Sequence, residues 1–322
     1  MNFLYIIGNG LDMALGLKTG YPDFYNYYVK QPSTDSIIVL LKESIKNGGY
    51  ETWADLEIGL GQFSSQCSSE QAFISCLDDI RMHLRSYLTA QQASMAPALG
   101  FIDFLYNPVS YIEPADIQLF NSFARKHSRS DKSLSLVTLN YTSTIERLVD
   151  DPSIRIKPFH IHGELPNMVL GVNDESQIAN SSLAESVEFR EEFVKPEYNT
   201  ACRNAKNEEF SGLIDRAEVF VIYGASMGPS DKKWWQAIGK RLMSGDAVLF
   251  FFPYDSKKDV IRHENYLRRW TNAYYAELMA KLEIDAEQIP QLRDSVFIGI
   301  NKTIIKPISV TISAETTITQ TK

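Results

Sequence analysis

The sequence predicts an α/β fold of Rossmann-like kind, a mainly parallel sheet with helices on both faces and a large helical insertion, on three observations. An apolar strand opens the chain and breaks at a glycine turn, a long strand-free stretch follows, and strand and helix signals then alternate. Residues 3–7 are all apolar or aromatic and Gly8-Asn9-Gly10 interrupts them, which reads as a buried strand and a tight turn exposing backbone N–H groups. Residues 33–46 read as a helix, with Ser33, Thr34 or Asp35 as its cap and Gly48-Gly49 as its stop. Helical pattern continues over 53–63 and from 70 to about 95, where Ile74, Leu77, Ile80, Leu84 and Leu88 form an apolar stripe at spacings of three and four. Pro114-Ala115-Asp116 starts a further helix toward Lys126. With no strand signal from about 32 to 130, this stretch is expected to be a helical insertion beside the sheet.

Strand signals are then expected at 134–138, 154–162, 168–172, 217–223, 247–252 and 296–300. Helical material separates them over 183–214, 233–243 and 257–282. Such alternation implies a parallel sheet covered on both sides. The Thr-rich tail, 310–322, is expected to be an added edge strand or a loose end. The whole chain, 1–322, reads as one domain carrying the insertion.

Composition narrows the class. With 322 residues, 44% apolar and 22% charged, the chain can bury a sizeable core. Its formal charge of −8 argues against broad nucleic-acid binding, which draws on clustered Lys and Arg. The apolar runs are far shorter than the roughly 20 residues of a membrane helix, so no membrane partner is expected. Met1-Asn2 leads into the first strand without a basic start or a small-residue cleavage site, and a cytoplasmic location is expected. Cys67, Cys76 and Cys202 include no C-x-x-C pair and read as structural thiols. His160 and His162 could ligate a metal, but no third ligand lies at a suitable spacing, so no metal is expected.

In doubly wound folds ligands bind beyond the carboxyl ends of the strands, and four such positions here carry chemistry. The turn Gly8-Asn9-Gly10-Leu11-Asp12 could let backbone approach a pyrophosphate, or be a plain turn, with Asp12 capping a helix or meeting a ribose hydroxyl. Asn140, in Asn140-Tyr141-Thr142, offers a donor and an acceptor to a ribose hydroxyl or water, and is equally a common turn former. His160 and His162 on an extended segment would share one face, one as base and one shaping the pocket; a structural pair is the alternative. Ser226, Ser230 and Asp231 follow the strand at 217–223 and could hold the nucleoside end of a ligand, while Ser230-Asp231 more readily reads as a helix N-cap. Trp53, Asp55 and Glu57 read as a packing anchor with two solvated acids, or as a device closing the pocket.

Taken together these motifs resemble the SIR2-like superfamily, and more closely the bacteriophage abortive-infection AbiH family. The first strand with Gly8-Asn9-Gly10-Leu11-Asp12, followed by Gly16-Leu17-Lys18-Thr19-Gly20-Tyr21-Pro22-Asp23-Phe24, resembles the AbiH amino-terminal signature. Trp53-Ala54-Asp55-Leu56-Glu57 resembles a second AbiH motif. Thr138-Leu139-Asn140-Tyr141, His160-Ile161-His162-Gly163 and Gly224-Ala225-Ser226 resemble the superfamily's asparagine, histidine and glycine-serine motifs. The resemblance implies NAD or a related nucleotide as substrate, cleaved at the nicotinamide–ribose bond in anti-phage defence. It assigns Asn140 and His162 as the catalytic pair with His160 as a further candidate. It places Gly8, Asn9, Gly10, Asp12, Asp23, Thr142, Gly163, Gly224, Ser226 and Asp231 around the nucleotide. Thr142 stands where many relatives carry an acid, and the cysteine quartet that holds zinc in sirtuin deacylases is absent. A phage-derived trigger and self-association complete the expected partners. A nucleotide sensor without turnover and a nuclease-type toxin are the competing readings, the second requiring Arg262, Arg268 and Arg269 to cluster beside the histidines.

Overall fold

Six strands pair in parallel in the computed structural model, which describes residues 1–127, 132–150, 156–253 and 264–308. They are β1 (Asn2–Ile7), β2 (Ser133–Thr138), β3 (Phe159–His160), β4 (Val219–Tyr223), β5 (Val248–Phe252) and β6 (Val296–Ile298), arranged in the order β3-β2-β1-β4-β5-β6. The expected α/β class with helices on both faces is therefore present. The chain moves outward from β1 to β2 and β3, then returns to the other side of β1 with β4. The carboxyl ends of β1 and β4 thus flank the topological switch point, where such sheets bind ligands.

Side-chain alternation gives each strand two apolar faces. Leu4, Ile6, Val137, Phe220, Ile222, Leu249 and Phe251 pack on one side with the helices Lys206–Arg216, Lys232–Met243 and Glu264–Lys281. Tyr5, Ile7, Leu136, Val221, Phe250 and Phe297 pack on the other with Phe101–Tyr106, Pro114–Lys126 and Thr144–Leu148.

The helical stretch expected at 32–130 divides. With Tyr21–Tyr28, which precedes the stretch, Ser36–Asn47, Leu56–Phe63 and Glu70–Ala93 build a third core of their own, which also takes in Leu170, Val172, Phe189 and Phe193. The later helices of the stretch instead cover the sheet. Asp35 caps the second of the four by accepting from the Ile37 N–H. Leu77, Ile80, Leu84 and Leu88 are buried as the stripe predicts; Ile74 is half-buried, and Phe73 and Cys76 take its share of the core. Trp53 is an anchor here, 2% exposed and seated so closely that a Cβ on Gly59 would lie 2.3 Å from its ring.

Two expected strands are corrected. Residues 169–172 are buried and Met168 half-buried, but the run forms only an isolated bridge, Val172 with Val194, because Val169 and Val172 donate to the His162 and Phe193 carbonyls rather than to a ladder. An apolar run alone cannot tell a strand from buried loop. Of the expected strand at 154–162, residues 154 and 155 lie outside the described residues, and among 156–162 only Phe159 and His160 pair, since Pro158 has no N–H to give and the Gly163 N–H turns back to His160. Ala98–Leu99 pairs antiparallel with Lys306–Pro307, a contact absent from the sequence reading. Cys67 and Cys76 are buried, whereas Cys202 is exposed and so is not a core thiol. The tail at 310–322, the start of the expected 257–282 helix and Arg262 lie outside the described residues. Among those described, no helix is long and apolar enough to cross a membrane.

Candidate functional site

At the switch point the two glycine loops cross in backbone contact. Gly8 donates to the Tyr223 carbonyl at 2.9 Å and Gly10 to the Gly224 carbonyl at 2.8 Å. A Cβ on Gly10 would sit 2.5 Å from the Gly224 Cα, and Gly224 itself has φ of +65°. Glycine is required here by the close approach and the positive φ. This corrects the expectation that the turn exposes its N–H groups: those of Gly8 and Gly10 are already satisfied by the neighbouring loop.

A polar cluster centred on Asp12 lies beyond the carboxyl ends of β1 and β2. Asp12 lies inside the helix Gly10–Ala14, 1% exposed, and is not a cap. Thr142 donates to its Oδ2 at 2.7 Å, the Asn140 Nδ2 lies 3.5 Å from its Oδ1, and Thr144 donates to Thr142 at 3.1 Å. Burial raises the Asp12 carboxyl above its ordinary value, against the pull of Thr142, Thr144, Asn140 and Thr19. Asn9 is tied to Thr19, through both the Thr19 carbonyl at 3.0 Å and its hydroxyl. Asn140 also donates to the Gly8 carbonyl at 3.2 Å, so its amide is held at the end of β2 beside the crossing. Its Oδ1 accepts from none of the described residues.

The histidines do not share one face. The i, i+2 rule holds only while the segment stays extended, and here the strand ends at His160 and turns. His160 is buried against the Asn140 carbonyl at 2.9 Å and the Glu146 carboxylate at 2.8 Å. Both partners are acceptors, so both ring nitrogens carry protons. Burial opposes the cation, but Glu146 and the Asn140 carbonyl prevail and raise the His160 pKa.

His162 faces a second cluster. Its Nε2 straddles the Asp231 carboxylate, 3.0 Å from Oδ1 and 3.1 Å from Oδ2. Lys195 Nζ lies 3.2 Å from Asp231 Oδ1 and 3.1 Å from Glu57 Oε1, and all four side chains are buried. The expectation of two solvated acids in the second motif is corrected on both counts. Glu57 is buried beside Lys195, and Asp55 caps the helix Leu56–Phe63 with Oδ1 while its Oδ2 accepts from Ser230 at 2.8 Å. Ser230 and Asp231 accordingly do not cap the helix Lys232–Met243 with their side chains. They stitch the loop after β4 to the helical layer instead.

Burial pushes the Glu57 carboxyl up to about 8, with Lys195 pulling against it. Burial likewise works against the charges of Lys195 and Asp231, but His162 and Lys195 together hold Asp231 well below its ordinary value, and Asp231 with Glu57 holds Lys195 well above its own. His162 is lowered, chiefly by burial with the Lys195 charge adding to it, against the attraction of Asp231. At neutral pH the cluster therefore holds a neutral imidazole whose Nε2–H donates to an ionised carboxylate, leaving Nδ1 as the basic nitrogen. A cavity of about 10 Å³, room for one water, lies against His162, Lys195, Asn199 and Asp231.

The remaining expected residues lie apart from the clusters. Asp23 is exposed in the first turn of Tyr21–Tyr28, and its charge acts on Tyr87. Ser226 is exposed, and its carbonyl accepts from Lys281 at 2.7 Å. Gly163, at φ of +80°, serves the turn after β3, where a Cβ would meet the Asn167 carbonyl. Arg268 and Arg269 are exposed on the helix Glu264–Lys281, which packs against β6 at the sheet edge opposite β3. Lys195 was missed because it sits in helical material with no motif around it. Among the described residues no group of three or more His, Cys, Asp or Glu is placed to hold a metal.

A family model described as bacteriophage abortive infection AbiH matches residues 4–254. No curated protein matches the chain.

Proposed function

The chain belongs to the bacteriophage abortive-infection AbiH family, and from that anti-phage role we propose that it acts as a SIR2-like hydrolase cutting the nicotinamide–ribose bond of NAD. The observation that carries this reading is the His162–Asp231 pair, a neutral imidazole oriented by an ionised carboxylate at the carboxyl edge of the sheet. Asn140 sits at the end of β2 with its Nδ2 anchored and its Oδ1 left to accept from a ribose hydroxyl or a water. Asp12, itself held by Thr142, anchors that amide together with the Gly8 carbonyl, while Gly8, Asn9, Gly10 and Gly224 are the residues that would border the nucleotide at the switch point.

Little acid help is needed for the bond. The ring nitrogen of nicotinamide is cationic and leaves as a neutral base, taking the bonding electrons from the ribose carbon. Water attacks that carbon, and the His162 Nδ1 takes its proton; ADP-ribose and nicotinamide are the products. Orientation and base assistance of this type are typically worth about 10²–10⁴-fold. His160 is unsuited to be the base, since both its nitrogens already donate. It fixes the Asn140 backbone instead.

A nucleotide sensor without turnover is the second reading, favoured by the tightness of the site: the cavity at His162 accommodates one water, so a dinucleotide reaches it only when the loop after β4 or the helical layer moves. Nicotinamide release by purified protein, alone and in extract of phage-infected cells, separates the two. The nuclease reading finds no support in the placement of Arg268 and Arg269.

A further inference from the structure

We propose that Lys195 is the positioning residue of this site, the buried cation that shares the Asp231 carboxylate with His162 and sets the charge the imidazole faces. The inference rests on the hydrolase reading for its catalytic consequence only; its electrostatic consequence follows from the distances at Lys195 and the charges they bring together.

Lys195 reaches the site through a specific backbone device. The Val172–Val194 bridge and the bond from the Lys195 N–H to the Val172 carbonyl at 2.9 Å fix the start of the helix Lys195–Ala201. From there the ammonium contacts Glu57 Oε1 at 3.1 Å, Asp231 Oδ1 at 3.2 Å and the Ser230 carbonyl at 3.4 Å. Three donors meet three acceptors, so the ammonium is fully satisfied. Asp231 in turn divides its carboxylate between Lys195 and the His162 ring. Glu57 comes from the helical layer, Asp231 from the loop after β4 and His162 from the turn after β3, so Lys195 joins three separate elements.

The sign of its effect on His162 follows from Coulomb's law. Asp231 alone beside a buried imidazole would draw a second proton onto the ring and make an ion pair, as Glu146 does for His160. Lys195 shares that carboxylate and repels an imidazolium, and Lys206 adds to the repulsion. The groups facing the Lys195–Asp231 pair are His162, Glu57 and Asp55, with the Tyr21 and Tyr141 phenols in the field of the same acids. Glu57, pushed up to about 8, is protonated at neutral pH, so Asp231 is the counter-ion that Lys195 neutralises.

The test is a titration of the His162 ring by ¹⁵N-histidine NMR in wild type, Lys195→Met and Lys195→Arg, with nicotinamide release measured over the same pH range. Loss of the cation should move the His162 midpoint to higher pH, and Lys195→Arg should restore it. Activity of Lys195→Met should fall most on the acid side, in kcat rather than KM; a residue that merely supports the fold would lower activity by one factor at every pH. If Lys195→Met does not fold, Lys195→Met combined with Glu57→Gln removes the acid left unpaired, and its midpoint is compared with that of Glu57→Gln alone. A midpoint that is unchanged or lower without the cation overturns the proposal. Because the NMR titration needs no turnover, it decides the role of Lys195 even if wild type releases no nicotinamide and the hydrolase reading fails.

Discussion

Replacing Glu57 by Gln should make the protein more stable at alkaline pH and leave it nearly unchanged at pH 4.5. Glu57 is 5% exposed and shares one ammonium with Asp231, which leaves it with a carboxyl pushed from 4.5 up to about 8. A group whose folded pKa is raised binds its proton more tightly in the native state, so its stabilising effect is complete below the unfolded value. That effect is lost as pH climbs toward the folded value. At about 1.4 kcal/mol per pH unit, the loss between pH 4.5 and about 8 has a limit of about 5 kcal/mol. Gln keeps a carbonyl for Lys195 and cannot ionise. Urea denaturation of both proteins from pH 5 to 8.5 reads the effect as a difference, in which every titrating group they share cancels. The gap should widen steadily in favour of Glu57→Gln up to about pH 8 and then level. Parallel stability curves over that range would falsify the assignment of a buried, proton-holding Glu57, and with it the charge count at Lys195.

Other expectations rest on separate parts of the structure. Gly10→Ala puts a Cβ 2.5 Å from the Gly224 Cα, with backbone on both sides and no side chain to swing away, so it should cost about 1–3 kcal/mol or more; an unchanged melting temperature would mean the loops do not cross as described. His160→Ala should lose bonds to a charged group worth about 1.5–3 kcal/mol each. Because the His160 pKa is raised, that loss should be full below about pH 6.5 and shrink as pH rises through the folded value. A loss that grows toward alkaline pH contradicts the imidazolium assignment. Trp53→Ala should cost about 3–5 kcal/mol by cavity formation in the helical layer, read by urea denaturation.

Much of this was legible from local pattern. Strand β1, the crossing glycines and the four loop motifs follow from apolar runs that stop at Gly8, Asn140, Gly163 and Gly224, and the sheet gathers those stops on one edge. What escaped depends on contacts between distant segments. Residues 168–172 have the composition of a strand, but their hydrogen bonds go to His162 and Phe193, and no local signal announces those partners. Glu57 looked like a surface acid because its partner Lys195 lies 138 positions away in featureless helical sequence. The two histidines look like one unit in the sequence because the turn that separates them begins within the motif itself. Ser230 and Asp231 sit where a helix cap belongs, and only the folded chain brings Asp55 and His162 to them.

The most direct test of the central claim is nicotinamide release from NAD by wild type, Asn140→Ala and His162→Ala on preparations of matched folded fraction. Wild type should release nicotinamide, directly or once phage-infected extract is added. Each substitution should lower the rate by about 10²–10⁴-fold, with folding free energy changed by no more than about 1–3 kcal/mol. If His162→Ala keeps full turnover, the His162–Asp231 pair is not the base, and if wild type never releases nicotinamide under either condition, the hydrolase account is wrong.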